Sequence, residues 1–486
     1  MKPVVIAGGG LAGSEAAWQL AERGIRVTLY EMRPTRMTPA HKTGRLAELV
    51  CSNSLKSNAP GAASWLLKEE LRRSGSLLLR LADECAVPGG AALAVDRERF
   101  AESVTTAIER HPLIRLRREE LVEIPRREET PQRVETPPRR VSTLIATGPL
   151  TSEALAAHLQ ALTSAENLAF YDAISPIVDA ETLNMQRLFP ASRYAKGGED
   201  YLNCPLNEQE YRAFYDALMS AETAQAHEFE DLNYFESCLP IEELARRGYD
   251  TLRFGPMRPV GLIDPRTGEQ PYAVVQLRAE NLRYSSYNLV GFQNHLKFPE
   301  QKRILRMIPG LANAEFLRLG QIHRNTYINA PKLLEPDLSF RPAPGVYVAG
   351  QLSGVEGYVE CIATGLLAGL AMARRARGEP FAPPPRATAL GSLVHYVSHA
   401  DPSNYQPANI SFDLLPPLEG LPRKIARDRQ ARRQRQCERA LADLERWLEE
   451  LGEAGVETPR RGVSSIGGSG PAGRTEETPQ RGVSTP

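Results

Sequence analysis

Two of the six cysteines lie in sequence contexts that favour chemistry over packing. Cys51 belongs to segment 48–58, which is polar and small after its first aliphatic residues, as in a loop that lines a binding site. Cys238 stands just before a Leu-Pro pair that starts a helical pattern, and a helix N-terminus lowers the pKa of a thiol by favouring the thiolate. For each cysteine the alternative is an inert, buried thiol.

The other cysteines show no pattern of a disulfide framework or a structural zinc site. They are Cys85, Cys204, Cys361 and Cys437. The chain has no Cys-x-x-Cys pair and no cysteine near a histidine cluster, so we predict no metal site.

A glycine-rich turn near the start of the chain predicts a dinucleotide site. An apolar run leads into Gly8-Gly9-Gly10-Leu11-Ala12-Gly13, where the glycines have G-x-G-x-x-G spacing, and a helical pattern follows. This spacing suits a tight turn, a pyrophosphate held at the helix N-terminus and close packing of helix on strand. A second strand ends at Glu31, at the offset expected for a carboxylate that binds a ribose hydroxyl. The alternative is a glycine turn in an ordinary α/β protein.

Two later strand ends favour FAD as the dinucleotide. One apolar strand ends at Thr147-Gly148, a pair common beside the cofactor of flavoproteins with two dinucleotide-binding domains. Another ends at Gly350-Gln351 before an apolar helix, which resembles a C-terminal flavin motif with Gln351 in place of the usual Asp. Because both ends of the chain contribute, we predict a discontinuous, Rossmann-like FAD-binding domain of α/β class with an inserted α+β domain.

The domain organisation follows from these patterns and from a repeated phrase. We predict the first part of the FAD-binding domain over 1–173, the inserted substrate or tRNA domain over 174–330, and the second part with a C-terminal helix over 331–455. Four copies of a Glu-Thr-Pro phrase mark a low-complexity insert at 128–142 and a disordered tail at 456–486, because these stretches lack the apolar content to fold.

Local patterns predict several further elements. Apolar spacing predicts a helix over 64–81 and another over 97–109, the second capped by Asp96. The Pro-, Thr- and Met-rich stretch 32–41 is typical of an exposed loop.

Composition and the apolar runs say more about the cellular compartment of the protein than about its binding partners. Formal net charge is zero, with 59 basic and 59 acidic residues, so the total charge does not indicate nucleic acid, although a local basic surface remains open. The glycine fingerprint begins too early for a cleaved leader, and the longest apolar stretch, 361–373, is too short to span a bilayer. We therefore expect a cytoplasmic protein without membrane contact.

Arginines and amides alternate with aromatic residues in the middle of the chain, at 254–261, 282–284 and 291–297. This texture suits phosphate contact and base stacking, and it equally suits a folded β-rich surface. His323 has the ring to stack on a flat heterocycle, or it satisfies local hydrogen bonds. The charged helix predicted over 423–451 has a basic N-terminal half, which suits RNA phosphates or a solvated face.

Five motifs together closely resemble the TrmFO family of folate- and FAD-dependent tRNA (uracil-5-)-methyltransferases, which is related to the larger GidA/MnmG flavoproteins. They are Gly8 to Glu15, Cys51 to Ser57, Ala146 to Leu150, Tyr234 to Pro240 and Gly350 to Tyr358. The resemblance extends from residue 1 to about 450, and it fails only at the Glu-Thr-Pro insert and the tail.

The resemblance implies a specific reaction. The family methylates C5 of a T-loop uridine in tRNA, with methylenetetrahydrofolate as carbon donor, reduced FAD as carrier of methylene and hydride, and NAD(P)H as reductant. It implies Cys238 as the nucleophile that adds to uracil C6 and Cys51 as base or as guard of the flavin, although these roles could be exchanged. It also makes His323 and Tyr358 candidates for folate contact, and it requires the uridine to leave the folded T-loop.

The sequence also fits two other interpretations. A wobble-uridine enzyme of GidA/MnmG type would work with a GTPase partner, whereas the TrmFO interpretation expects no obligate protein partner. The absence of a long helical C-terminal region favours TrmFO. A noncatalytic tRNA-binding flavoprotein would not need the contexts of Cys51 and Cys238.

Overall fold

The structure is a computed structural model that describes residues 4–50, 54–125, 142–163, 168–173, 175–195, 198–223, 239–280, 283–320, 322–403, 405–422, 425 and 427–452. For residues 163, 168–173, 195 and 322–326 it describes the backbone. Cys51, Cys238, the tail at 456–486 and all but the last residue of the insert at 128–142 lie outside the described residues.

The helices are α1 (Leu11–Glu22), α2 (Ala63–Arg73), α3 (Leu77–Glu84), α4 (Arg97–Arg110), α5 (Glu153–Thr163), α6 (Glu208–Met219), α7 (Ile241–Arg246), α8 (Thr251–Phe254), α9 (Phe298–Leu305), α10 (Ala330–Leu333), α11 (Tyr358–Arg377), α12 (Ala389–His399) and α13 (Arg429–Glu450). The strands are β1 (Val4–Ala7), β2 (Val27–Tyr30), β3 (Ala86–Val87), β4 (Ala94–Val95), β5 (Ile114–Arg117), β6 (Ser142–Ile145), β7 (Leu168–Ala173), β8 (Ile177–Asp179), β9 (Phe189–Pro190), β10 (Tyr201–Leu206), β11 (Ala273–Ala279), β12 (Ser286–Leu289), β13 (Phe316–Arg318), β14 (Ile322–Tyr327) and β15 (Val346–Val348).

The first sheet is parallel, with the strand order β15-β6-β1-β2-β5. Its central strands are almost wholly apolar and buried, as expected where helices cover both faces of a parallel sheet. β15 follows the second sheet in the chain, yet it pairs with β6. The sheet is therefore assembled from two distant segments, which confirms the predicted discontinuous, Rossmann-like fold.

Helices α1 and α11 hold the two segments of this domain together at very short range. A Cβ added at Gly365 would lie 2.3 Å from the carbonyl oxygen of Ala12, and one at Gly369 would lie 2.9 Å from Cβ of Gln19. Only glycine permits this separation, so the backbones of α1 and α11, from the two segments of the cofactor domain, pack directly on each other.

The second sheet is antiparallel, with the order β13-β8-β12-β11-β10-β9, and it has its own apolar core. The ribbon β7–β14 forms where the chain passes from the first domain into this one and back, since Ile322 pairs with Ala173 and Tyr327 with Leu168. The additional antiparallel domain confirms the predicted α+β insertion. The boundaries at 174 and 330 stay a prediction.

Candidate active site

The glycine turn after β1 leaves the start of α1 open. Gly8 has φ of +98°, and a Cβ at Gly13 would lie 1.9 Å from the carbonyl oxygen of Gly8, so strand and helix touch here. By contrast, a Cβ at Gly10 would meet nothing within 4 Å, and no side chain caps the helix. The first backbone N–H groups of α1 therefore face open space, which fits a dinucleotide pyrophosphate.

Glu31 is fixed beside this turn by the chain's own donors. Its Oε2 accepts a hydrogen bond from the Gly9 N–H at 3.0 Å, and the Arg33 guanidinium donates to both of its oxygens, at 2.9 and 3.1 Å. Burial opposes ionisation, but the hydrogen bond and charge of Arg33 outweigh it and hold the pKa of Glu31 below its ordinary value. The carboxylate is therefore ionised and rigid, as a ribose acceptor must be.

A cleft joins the turn to the ends of the two other strands that sequence patterns single out. From the predicted set it is lined by Gly8, Gly10, Leu11, Ala12, Glu31, Thr147, Gly148, Gly350, Gln351 and Tyr358. Gly9 packs closely against the Glu31 side chain, and Gly13 packs against the Gly8 carbonyl, so both glycines hold the turn in shape. The carboxyl ends of three neighbouring parallel strands thus meet at one opening, where α/β folds bind ligands.

The second segment of the domain is held in this cleft by polar contacts. The Gly350 N–H, at φ of +75°, donates to Oγ1 of Thr364 at 2.8 Å, and the Gln351 amide donates to Oε2 of Glu356 at 2.7 Å. Tyr358 is the first residue of α11 and lines the cleft beside Cys361, a thiol whose pKa burial raises. A folate role for Tyr358 stays a prediction.

The loop that carries Cys51 is anchored on both sides of the cysteine. Before it, an Arg318 guanidinium N–H donates to the Val50 carbonyl at 2.7 Å. After it, the buried ammonium of Lys68 donates to the carbonyls of residues 55, 56 and 57 at 2.7, 3.1 and 2.9 Å. Burial, with a smaller contribution from Arg72, lowers the pKa of Lys68 to about 7. The chain segments just before and just after Cys51 are therefore held in place, although Cys51 itself is outside the described residues.

We expect Lys68→Met to loosen this loop, because three carbonyls lose their shared donor. Unpaired buried carbonyls cost about 2–3 kcal/mol, which corresponds to a fall in the unfolding temperature of roughly 5 °C. Cys51 should also react faster with a maleimide, with the site identified by mass spectrometry. Lys332→Met, at an exposed lysine, is the control. Wild-type unfolding and labelling in Lys68→Met would show that this ammonium does not brace the loop.

The helix predicted after Cys238 is present as α7, with Pro240 as its N-cap, and Cys238 itself is not described. Two contacts hold the helix start: the Ile241 N–H donates to the Gln293 carbonyl at 2.8 Å, and Glu242 Oε1 lies 2.5 Å from His295 Nδ1. His323 lies in β14 opposite Asp172, and its side chain is not described. The roles of Cys51, Cys238 and His323 therefore stay predictions.

Comparison with known proteins identifies the family. The sequence model described as GIDA, Glucose inhibited division protein A, matches residues 3–380. A protein of Koribacter versatilis named Methylenetetrahydrofolate--tRNA-(uracil-5-)-methyltransferase TrmFO is 57% identical over 443 residues, which are 91% of this chain and 97% of that protein. One of the same name from Solibacter usitatus is 60% identical over 451 residues, covering 92% and 98%. The chain belongs to the TrmFO family.

The solved structures show how far the TrmFO fold is shared. Aquifex aeolicus GidA matches with a TM-score of 0.63 in each of two crystal forms, at 17% and 18% identity. The match covers 94% of this chain and 74% or 76% of the GidA chain. At this level of identity the likeness establishes the fold alone.

Sequence patterns missed several residues of this TrmFO-family cleft. Stretch 32–41 is not wholly an exposed loop, because Arg33 is buried and His41 lines the cleft. Burial, followed by the charge of Arg33, lowers the pKa of His41 to about 4. The spacing of Arg33 two residues after Glu31 was visible in the sequence, but their ion pair depends on the loop folding back.

In this TrmFO-family chain, no group of three or more described His, Cys, Asp or Glu residues is placed to hold a metal ion. No described helix is long and apolar enough to cross a membrane.

Proposed function

We propose that this chain methylates C5 of a T-loop uridine in tRNA, with methylenetetrahydrofolate as carbon donor, FAD as cofactor and NAD(P)H as reductant. The observation that carries the proposal is the identity of 57% and 60% to two proteins named for this activity, over more than 90% of every chain compared. The cleft at the ends of three parallel strands provides a dinucleotide site for it.

Different residues of the cleft hold different parts of the cofactor. The open N–H groups at Gly10 hold the pyrophosphate, and the ionised Glu31 accepts from the adenosine ribose. Thr147-Gly148 and Gly350-Gln351, at the other two strand ends, hold the flavin half. When bound, FAD supplies the hydride and carries the one-carbon unit.

Uracil C5 is a weak nucleophile, and the two cysteines remedy this. The Cys238 thiolate adds to C6, which places the electron pair on C5 and lets C5 bond to the methylene carbon. Loss of the C5 proton to Cys51 would let the carrier leave the methylene carbon, a hydride delivered to that carbon would complete the methyl group, and the Cys238 thiolate would then leave C6. Lys68 and Arg318 keep the Cys51 loop in position for this proton transfer. In the alternative assignment, the two cysteines exchange roles.

The remaining proposals concern the folate, the tRNA and the cellular compartment. His323 and Tyr358 contact the folate, since β14 and the start of α11 belong to segments that return to the cofactor domain. The substrate is tRNA, no obligate protein partner is needed, and the enzyme works in the cytoplasm.

The test is mass spectrometry of nucleosides after the purified chain acts on unmodified tRNA with deuterated methylenetetrahydrofolate and NAD(P)H. We expect deuterated 5-methyluridine in the T-loop fragment, without any added protein. Omission of the folate is the matched control. Modification confined to the wobble uridine, or dependence on a GTPase, would favour the GidA/MnmG-type alternative. Tight tRNA binding without a modified nucleoside would favour a noncatalytic flavoprotein.

A further inference from the structure

Two of the stretches in which polar and aromatic residues alternate differ in their burial. Residues 292–296 are buried, and the apolar ones among them belong to the core of the antiparallel domain. The stretch 254–261 instead reaches the surface, where Phe254 is 81% exposed and Arg258 is exposed. This second stretch therefore has side chains that a partner could contact, and the proposed chemistry does not use them.

Arg258 forms a surface cluster with a neighbouring loop. The Arg193 guanidinium donates to the Arg258 carbonyl at 2.7 Å, and the Arg258 guanidinium donates to the Tyr194 hydroxyl at 3.4 Å. The Tyr194 N–H donates to the Gly261 carbonyl at 2.9 Å. We call Arg193, Tyr194 and Arg258, with Gly261 against the ring, the Arg-Tyr platform.

The ring of Tyr194 packs on the backbone of Gly261 and is otherwise open. A Cβ added at Gly261 would lie 2.9 Å from Cδ1 and from Cε1 of Tyr194, yet 56% of Tyr194 is exposed. Tyr194 takes φ of +58° and ψ of 26°, in the left-handed region that residues with a side chain avoid. Such strain persists where surrounding contacts fix it, and it is concentrated at functional sites. The platform therefore holds one face of a flat ring and leaves the other to solvent.

The two arginines of the platform lie together without an acid. The loops that carry them, 188–198 and 254–263, contain three cations and no acidic residue. Within the part of the chain that the structure describes, neither arginine forms an ion pair with a carboxylate. Burial, followed by the charge of Arg258, lowers the pKa of Arg193 below its ordinary value. An external anion would relieve this repulsion between like charges.

The platform lies near the junction of the two domains, on a path to the cofactor cleft. Tyr201 starts β10, interacts electrostatically with Arg193, and donates through its hydroxyl to the Gly89 carbonyl at 2.9 Å. The carbonyl two residues after Gly89 accepts from the Asn58 N–H at 2.6 Å. Asn58 belongs to the loop that leaves the cleft at Val50. An RNA held at the platform is therefore beside the segment that leads into the cleft.

We propose that the Arg-Tyr platform binds an unpaired base of the tRNA loop other than the target uridine. The base stacks on Tyr194, and its flanking phosphates bind Arg193 and Arg258. This inference rests on the proposed function for the identity of the RNA. An exposed flat ring beside guanidinium groups is the chemistry with which proteins bind unpaired nucleotides. An acidic protein surface would use the two charges but leave the ring without a stacking partner.

The charges are tested with two double variants of the full-length protein. Arg193→Gln with Arg258→Gln removes both charges of the platform, whereas Arg212→Gln with Arg303→Gln removes two exposed, ion-paired charges elsewhere in the inserted domain. Filter binding of unmodified tRNA over a salt series gives Kd and its salt dependence. We expect the platform pair to weaken binding about tenfold and to lower the slope of log Kd against log salt by about 1.4, because two single-strand phosphate contacts are lost. The control pair should stay within about twofold of wild type.

The ring is tested separately from the charges. Tyr194→Ala should weaken tRNA binding about tenfold, as the loss of one stacked base does, and should keep the wild-type salt slope because no charge is removed. Tyr194→Phe keeps a ring that stacks and should bind like wild type. Phe298→Ala, at an aromatic residue of the same domain that is 50% exposed, is the control and should also bind like wild type.

Two further measurements make the outcome decisive. Every variant should keep the wild-type flavin spectrum and unfolding temperature, and Arg193→Lys with Arg258→Lys should keep the wild-type salt slope. Equal losses in the platform and control variants would overturn the proposal. Wild-type binding in the platform variants would also overturn it and would leave this surface to an acidic protein. If binding depends on the platform but the wild-type chain forms no 5-methyluridine, the proposed function fails and the platform assignment stands.

Discussion

Cys238→Ala abolishes the covalent adduct that we expect the wild-type chain to form with T-loop RNA containing 5-fluorouracil. Once a thiolate has added to C6 and C5 has bonded to the one-carbon unit, the fluorine leaves no C5 proton to remove, so the S–C6 bond persists. Without the thiol that bond cannot form. The adduct is measured as a band that resists denaturing electrophoresis, and turnover on normal tRNA should fall by at least 10³-fold, as is usual when a nucleophile is removed.

Two other cysteine variants make this result specific. Cys204→Ala, in the same domain, should keep the adduct, because Cys204 is buried and burial raises the pKa of its thiol. Cys51→Ala should form the adduct on fluorinated RNA yet lose turnover, since it lacks the proposed base. An adduct that survives in Cys238→Ala and disappears in Cys51→Ala would show that the two roles are exchanged.

Gly13→Ala and Gly10→Ala should fail in different ways, although they lie three residues apart. A Cβ at Gly13 would lie 1.9 Å from a backbone oxygen, which cannot move without separating α1 from β1. We expect a loss of about 3 kcal/mol or more in the free energy of unfolding. Gly10 has an ordinary φ of −73° and open space before it, so its alanine variant should fold normally and bind FAD poorly.

Thermal unfolding of the FAD-free proteins and a flavin titration separate the two effects. Gly13→Ala should unfold at a clearly lower temperature, whereas Gly10→Ala should unfold like wild type and need at least tenfold more FAD for saturation. Wild-type FAD affinity in Gly10→Ala would contradict the placement of the pyrophosphate at the start of α1.

Features set by local rules could be predicted from the sequence. The glycine turn, the strand end at Glu31 and the Asp96 cap depend on residues a few positions apart, and the Asp96 side chain indeed accepts from the Arg99 N–H at 3.1 Å. The helix predicted over 64–81 is instead two helices, because Gly75 takes φ of +73° and Ser76 caps α3. The Gly75-Ser76 pair in the sequence indicates this break. The regular apolar spacing on both sides of the pair led instead to the prediction of one helix.

Features set by distant contacts could not be predicted in this way. Lys68 has the spacing of a charged helix residue, and only the folded chain shows its ammonium buried against three carbonyls of another segment. Glu70 likewise accepts from the N–H groups of Ala389 and Leu390, more than three hundred positions away. No periodicity in the sequence encodes such pairs.

The pairing of β15 with β6 has a consequence for the order of events on the ribosome. The cofactor cleft needs Gly350 and the start of α11, which emerge only after the whole antiparallel domain has been synthesised. The inserted domain, whose strands all precede β15, has its full core available first. Flavin capture is therefore confined to chains synthesised past the start of α11, and we expect a nascent chain that stalls before α11 to carry no cofactor.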